Sequence, residues 1–271
     1  MESLRRVEDW PVEHAAAAVL TAPGTATHGD TGRRFPLASV TKLLVAVAAL
    51  LAVEEEAITL DEAAGPEGST VRHLLAHTSG LAFSEQRVVA APGTRRLYSS
   101  AGFEVLADHL AERTGIAFGD YLHEAVCEPL GMGSTTLDGS PGHGATSTLA
   151  DLAVFAGELR APTLLAPETM AEARSVQFPG LDGVLPGLGH QRPNDWGLGL
   201  ELRDHKSPHW TGASSSPETF GHFGQSGTFI WVDPAVDAAC VVLTDRDFGD
   251  WAKEVWPAFT DAVLAELAGP G

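Results

Sequence analysis

One segment constrains this chain more than any other: Phe35-Pro36-Leu37-Ala38-Ser39-Val40-Thr41-Lys42, which runs directly into an apolar stretch from Leu43 to Val53. A run with no polar face specifies a helix buried on all sides, and this one is too short to span a bilayer. The helix is predicted from about Ser39 to Glu55. Ser39 would stand at its start, with Lys42 one turn on and on the same face. A serine hydroxyl becomes a nucleophile when a base takes its proton. A lysine one turn away can do so if burial or a neighbouring cation lowers its pKa. Unpaired N–H groups at the helix start would steady a developing oxyanion. The same letters also describe an N-cap serine followed by a surface lysine. The apolar helix behind the pair and two stretches downstream favour the catalytic reading.

The length, 271 residues, fits one large domain or two intimate subdomains. Hydrophobic content of 44% and charged content of 20% are ordinary for a globular chain. A net charge of −19 argues against nucleic acid or an anionic membrane as partner, since no basic patch can neutralise phosphates. Met1 to Trp10 lacks the apolar core of a signal peptide. Cys127 and Cys240 fit no metal spacing and are expected as free buried thiols. A cytoplasmic protein without cofactor is the resulting expectation.

Residues 12–38 are short apolar pieces broken by Pro23-Gly24 and Gly29-Asp30-Thr31-Gly32, a hairpin pattern, although Val12 to Leu20 also suits a helix. From about residue 61 to 190 the pattern is helical: Val71–Ala76, Phe103–Thr114 stopped by Gly115, Phe118–Val126, a helix capped by Thr148 with Asp151 in the capping-box position, and one opened by Pro167. Residues 176–220 read as loops with one strand at Trp196–Leu202. Phe229–Val232 and Ala238–Thr244 read as strands joined at Asp233-Pro234, and Trp251–Leu267 as a closing helix that Pro257 kinks or begins. Strands at both ends with helices between predict an α/β subdomain from residues 1–60 plus 190–271 and a helical subdomain from 61–189, together one catalytic domain with a cleft between its parts.

The second stretch is Pro92-Gly93-Thr94-Arg95-Arg96-Leu97-Tyr98-Ser99-Ser100. It delivers Tyr98 and Ser100 on a loop before a helix, and a phenol near a lysine can relay a proton. A core tyrosine with a serine cap is the plainer alternative. The third is the glycine-punctuated strand Gly221-His222-Phe223-Gly224-Gln225-Ser226-Gly227. Its glycines would let a substrate lie close to backbone N–H groups, and His222 would supply a polar or cationic group, or simply be a satisfied histidine at a strand start.

Together Ser39-Val40-Thr41-Lys42, Tyr98-Ser99-Ser100 and His222-Phe223-Gly224 stand in the order of the three motifs of penicillin-recognising serine hydrolases. The chain resembles the branch with class C β-lactamases, D-alanyl-D-alanine carboxypeptidase-like proteins and related esterases. Arg72-His73-Leu74-Leu75-Ala76-His77-Thr78-Ser79-Gly80-Leu81, Leu130-Gly131-Met132, Ser147 to Leu152 and Leu165 to Met170 are similar to segments of that branch. The resemblance implies an α+β, β-lactamase/transpeptidase-like fold: an antiparallel sheet flanked by helices, with an inserted, mostly helical subdomain. It implies Ser39 as nucleophile, Lys42 as its activating partner and Tyr98 as general base or acid. The backbone N–H groups of Ser39 and Gln225 would form the oxyanion hole. Ser100, His222 and Gly224 would contact substrate. His222 stands where many members carry Lys, and Ser100 where β-lactamases usually carry Asn, which favours esters or small amides over lactams.

The expectation is therefore a serine hydrolase working through an acyl-enzyme on a small ester, amide or lactam. An acyltransferase with the same residues and a non-catalytic binding protein on the same fold are the alternatives. His73 and His77 have the i, i+4 spacing of a helical metal pair, but no third ligand is evident and no metal is expected.

Overall fold

A computed structural model describes residues 1–269. A 3₁₀ turn, Ser3–Asp9, precedes β1 (Ala15–Thr21), β2 (Gly24–His28) and β3 (Arg34–Pro36). A second 3₁₀ turn, Ala38–Val40, leads into α1 (Thr41–Glu54), followed by α2 (Val71–Leu75), α3 (Ser100–Thr114) and α4 (Phe118–Leu122), the last extended by a π turn to Cys127. Next come β4 (Thr136–Leu137), β5 (Ala145–Thr148), α5 (Leu149–Arg160) and α6 (Pro167–Ala173). The chain ends through β6 (Gly183–Leu185), β7 (Gly189–Gln191), β8 (Glu201–Leu202), β9 (Phe220–Gly224), β10 (Thr228–Asp233), β11 (Ala238–Thr244) and α7 (Asp250–Ala268).

Both chain ends build one antiparallel sheet, ordered β2-β1-β11-β10-β9-β8. Every residue of β11 is buried, as expected for a central strand covered on both faces. Alternation along β1 divides the two layers. Ala16, Ala18 and Leu20 face the core with α1, α3 and α5, while Ala17 and Val19 face α7 and the N-terminal turn. On that second face Trp231, Trp256 and Phe259 are buried. Glu266 of α7 accepts the backbone N–H groups of Glu2 and Ser3, each at 2.8 Å, and so anchors the N-terminal turn, which the sequence reading left unassigned.

The antiparallel sheet flanked by helices is the expected α+β arrangement. Helix α1 begins two residues later than Ser39, after its 3₁₀ turn, and is buried from Thr41 through Ala52. Of residues 12–20, those from Ala15 onward form strand β1, not a helix. The middle of the chain is less purely helical than expected, because β4 and β5 pair with β3 in a small sheet. The predicted strand at Trp196–Leu202 shrinks to Glu201–Leu202. Gly197 donates to Leu200 in a turn, and Gly199 sits at φ 75 against Ala46 of α1, so the backbone folds back instead of extending. Within the stretch read as loops, β6 and β7 form a hairpin. Pro257 lies inside α7, and the carbonyl it leaves without a helical partner belongs to the exposed Lys253. Cys127 and Cys240 are free and buried. Among the described residues no helix is long and apolar enough to cross a membrane.

Candidate active site

Ser39 sits on the sharp turn between β3 and α1. Ala38, just before it, takes φ 44, an uncommon left-handed conformation for a residue with a side chain. The turn is held from the sheet side. Thr228 Oγ1 donates to the Leu37 carbonyl at 2.9 Å and Ser226 Oγ to that of Pro36 at 2.6 Å. Ser39 is half-buried; Lys42 is fully buried in the first turn of α1. Lys42 Nζ lies 3.4 Å from Ser39 Oγ, 3.0 Å from Ser100 Oγ and 2.6 Å from the Gly142 carbonyl oxygen. It also sits over the rings of Tyr98 (4.7 Å) and Phe103 (5.6 Å). Burial lowers its pKa to about 7, against a smaller upward pull from Glu104. The surface-lysine alternative is thereby excluded by position.

The Tyr98 loop reaches the same point. Ser99 caps α3, accepting from Gly102 N at 2.9 Å and donating to the Ala82 carbonyl at 2.6 Å. Ser100, in the first turn, then faces Lys42. Tyr98 Oη is 3.2 Å from His222 Nε2, and His222 Nδ1 is 2.6 Å from the Phe223 carbonyl oxygen. A carbonyl only accepts, so Nδ1 carries the ring proton and Nε2 accepts from the phenol. Burial and the positive charge of Lys42 push the His222 pKa down to about 3, so the ring is neutral at physiological pH. The expected cationic option for His222 is replaced by a neutral acceptor. Burial pushes the Tyr98 phenol above its usual range, with a hydrogen bond to Ser39 pulling the other way.

The end of β9 lies against the Ser39 turn. A Cβ on Gly224 would run into the Leu37 carbonyl and come within 2.5 Å of Thr228 Oγ1 and 3.2 Å of Ala38 Cβ, so only glycine permits this approach. Gln225 follows directly, its side chain tied to the Phe248 carbonyl at 3.0 Å. Among the described residues neither the Ser39 N–H nor the Gln225 N–H has an acceptor within the chain. The structure thus gathers Ser39, Lys42, Tyr98, Ser100, His222, Gly224 and Gln225 in one place.

Four further residues shape the site. Gly142 supplies the carbonyl on Lys42, and no local signal marks it in the sequence. His77 packs against Tyr98 at 4.6 Å and stands perpendicular to Trp196 at 4.7 Å. Trp196 in turn touches His222 at 5.4 Å. Arg96, buried, donates to the carbonyls of Ala76, Gln177, Phe178 and Asn194 at 2.5–3.0 Å, and so ties the Tyr98 loop to three other segments. His77 lies beyond the end of α2, at φ 55, and its Nδ1 accepts from Ser99 N at 3.2 Å; His73 Nδ1 is 2.8 Å from Thr70 Oγ1. The pair therefore does not share a helix face, and both rings are engaged in local bonds.

The family model named Beta-lactamase matches residues 14–265. The chain belongs to the beta-lactamase family. Over 98% of its length it superposes, with 64% identity and a TM-score of 0.97, on 99% of a solved chain titled a beta-lactamase (Mb2281c) from Mycobacterium bovis. More distant solved structures share the fold at 18% and 17% identity. Simvastatin synthase (LovD9 mutant) from Aspergillus terreus has a TM-score of 0.83 over 99% of this chain and 98% of that one. EstCE1, titled a hydrolase with promiscuous acyltransferase activity, gives 0.78 over 97% and 96%. A 58-residue segment is 40% identical to the D-alanyl-D-alanine-carboxypeptidase/endopeptidase AmpH of Escherichia coli K12. That match spans 21% of this chain and 15% of AmpH. The family expected from the three motifs is the one found.

Proposed function

We propose that this beta-lactamase family member is a serine hydrolase that forms an acyl-enzyme on Ser39 and acts on carboxylic esters or small amides. The observation that carries the reading is Lys42, buried with its pKa near 7 and 3.4 Å from the Ser39 hydroxyl. A neutral amine there is available to take the serine proton at physiological pH. As Ser39 Oγ bonds to the substrate carbonyl carbon, its proton passes to Lys42. The carbonyl oxygen becomes an oxyanion received by the N–H groups of Ser39 and Gln225. Tyr98, held protonated by burial and donating to His222, is suited to hand a proton to the leaving group and recover one through Lys42. Water then attacks the acyl-enzyme and releases the acid. In this reading residues 1–60 plus 190–271 and residues 61–189 act together as one catalytic domain.

The neutral, phenol-bound His222 and the small Ser100 support esters and amides over lactams, while the likeness to the Mycobacterium bovis protein keeps a lactam in the test. Likeness of fold to EstCE1, titled a hydrolase with promiscuous acyltransferase activity, supports a second reading, transfer of the same acyl group to an alcohol. Hydrolysis of p-nitrophenyl acetate by wild type and Ser39→Ala decides first. Activity lost only in Ser39→Ala is the expected result; equal activity in both removes Ser39 from the chemistry. Added alcohol that diverts product to a new ester would identify transfer, and turnover of a chromogenic cephalosporin would identify lactam hydrolysis.

A further inference from the structure

A cavity of about 1060 Å³ opens beside the site without Ser39 or Lys42 in its lining. It lies beyond Tyr98, which forms one of its walls, between the Leu81–Phe83 and Thr94–Tyr98 segments on one side and Gly180–His190 on the other. Its volume is at the upper end of what small-ligand sites enclose. Three large apolar side chains at its edge stand exposed: Phe83 at 58%, Val184 at 55% and Val89 at 47%. Exposed apolar groups gathered around one concavity mark a surface that a ligand covers.

The walls are fixed. Arg96 N donates to the Asp182 carbonyl at 3.3 Å, and a Cβ on Gly183 would come within 2.9 Å of Arg96 Cβ, so the β6–β7 hairpin is seated on the Tyr98 loop. Phe83 stacks on Tyr98 with ring centres 5.9 Å apart and planes 28° apart, which makes one continuous aromatic surface from the cavity to the phenol. Charge at the rim is mixed, with Arg95 and His190 opposed by Asp182, and the Asp182 carboxylate already pairs with Arg192 at 3.4 Å. The rim thus carries both signs of charge, while the exposed side chains of Phe83, Val89 and Val184 give the wall an apolar face.

We propose that this cavity is the subsite for an extended, uncharged apolar arm of the substrate, a medium-chain alkyl or an aryl group laid along Phe83 and Val184 while the ester carbonyl reaches Ser39 past Tyr98. The proposal rests on the serine-hydrolase reading and narrows it to apolar esters. Each methylene taken from water into such a pocket is worth up to about a fourfold gain. Partial burial along an open wall gives less.

The test pairs kinetics with binding. Wild type, Val184→Asp and Phe83→Ser, each checked for fold by circular dichroism, are compared on p-nitrophenyl acetate and p-nitrophenyl octanoate. Wild type should favour octanoate at least tenfold in kcat/KM, and each variant should cut that preference at least fivefold. No preference in wild type, or equal losses on both esters, would overturn the subsite. Separately, methyl octanoate is titrated into Ser39→Ala and followed by tryptophan fluorescence. Saturable binding, weakened at least fivefold when Val184→Asp is added, is expected. Such binding without ester hydrolysis by wild type keeps the cavity and sinks the serine-hydrolase reading. Acetate hydrolysis with no binding of methyl octanoate keeps that reading and sinks the cavity.

Discussion

Lys42 Nζ lies 2.6 Å from the carbonyl oxygen of Gly142, a residue 100 positions away in the chain. That oxygen only accepts, so one N–H of Lys42 is always committed to it. The other two partners, Ser39 and Ser100, are hydroxyls that donate or accept as required. The surroundings therefore suit Lys42 both as ammonium and as amine, and a pKa of about 7 lets it change form in the physiological range.

A pH profile follows. Charged Lys42 cannot take the Ser39 proton, so kcat/KM should rise with pH through about 7. Glu104, whose carboxylate pulls that pKa upward, accepts from Ser140 at 2.5 Å, and Ser140 accepts from Gly142 N at 3.1 Å. Removing the negative charge with Glu104→Gln should move the rising limb to lower pH. A limb that stays put or moves up would contradict the assignment.

Lys42→Met should abolish turnover and stabilise the fold at neutral pH. The folded pKa of about 7 lies below the ordinary lysine value of 10.5. Between these values the unfolded chain holds a proton that the folded chain does not, so stability rises with pH across that window. The burden of the buried lysine is greatest at pH 7 and below. Urea titrations should show a gain of about 1–3 kcal/mol for Lys42→Met at pH 6, fading by pH 10. A variant less stable than wild type at pH 6 would show that the three hydrogen bonds outweigh desolvation.

His222→Gln separates two origins of the rising limb. With its own pKa near 3, His222 does not titrate around neutrality. The variant should lose about 10–100-fold in kcat, through a less well placed Tyr98, yet keep the limb near 7. Disappearance of the limb would transfer it from Lys42 to His222.

Arg96→Met should destabilise the protein by about 3 kcal/mol or more, since four buried carbonyls lose their donor at once. Arg96→Lys should recover little, because an ammonium cannot copy the planar fork. Denaturant midpoints measure both, and a loss under 1 kcal/mol for Arg96→Met would mean that water replaces the guanidinium.

Gly224→Ala should cut kcat/KM by at least tenfold while leaving secondary structure intact. The added methyl meets Thr228 Oγ1 at 2.5 Å and the Leu37 carbonyl, and so forces β9 away from the Ser39 turn. Unchanged kinetics in a folded variant would show that the spacing between Gln225 and Ser39 is not critical.

Local chemistry makes much of this fold legible in the sequence. The apolar run Leu43 to Val53 of α1, the Thr148 cap, the Gly115 stop at φ 73 and the apolar run Ala238 to Leu243 of β11 each announce themselves within a few residues. Where local signals conflicted with packing, packing prevailed. Asp151 keeps the expected place after Thr148, but its carboxylate accepts from Ser134 N and Thr135 Oγ1, each at 2.8 Å, instead of closing a capping box. Trp196–Leu200 reads as strand and folds as a turn, because Gly199 must clear Ala46.

The sequence by itself determined which residues are candidates for the chemistry, because Ser39, Lys42 and Tyr98 sit in short motifs whose spacing is set by one helix turn or one loop. Only the tertiary structure decided their states. The Gly142 carbonyl, the ring of His77, the guanidinium of Arg96 and the cavity beyond Tyr98 are assembled from segments far apart in the chain. Desolvation and neutral partners act through space and not along the sequence. They make Lys42 a base near neutrality and His222 an uncharged acceptor.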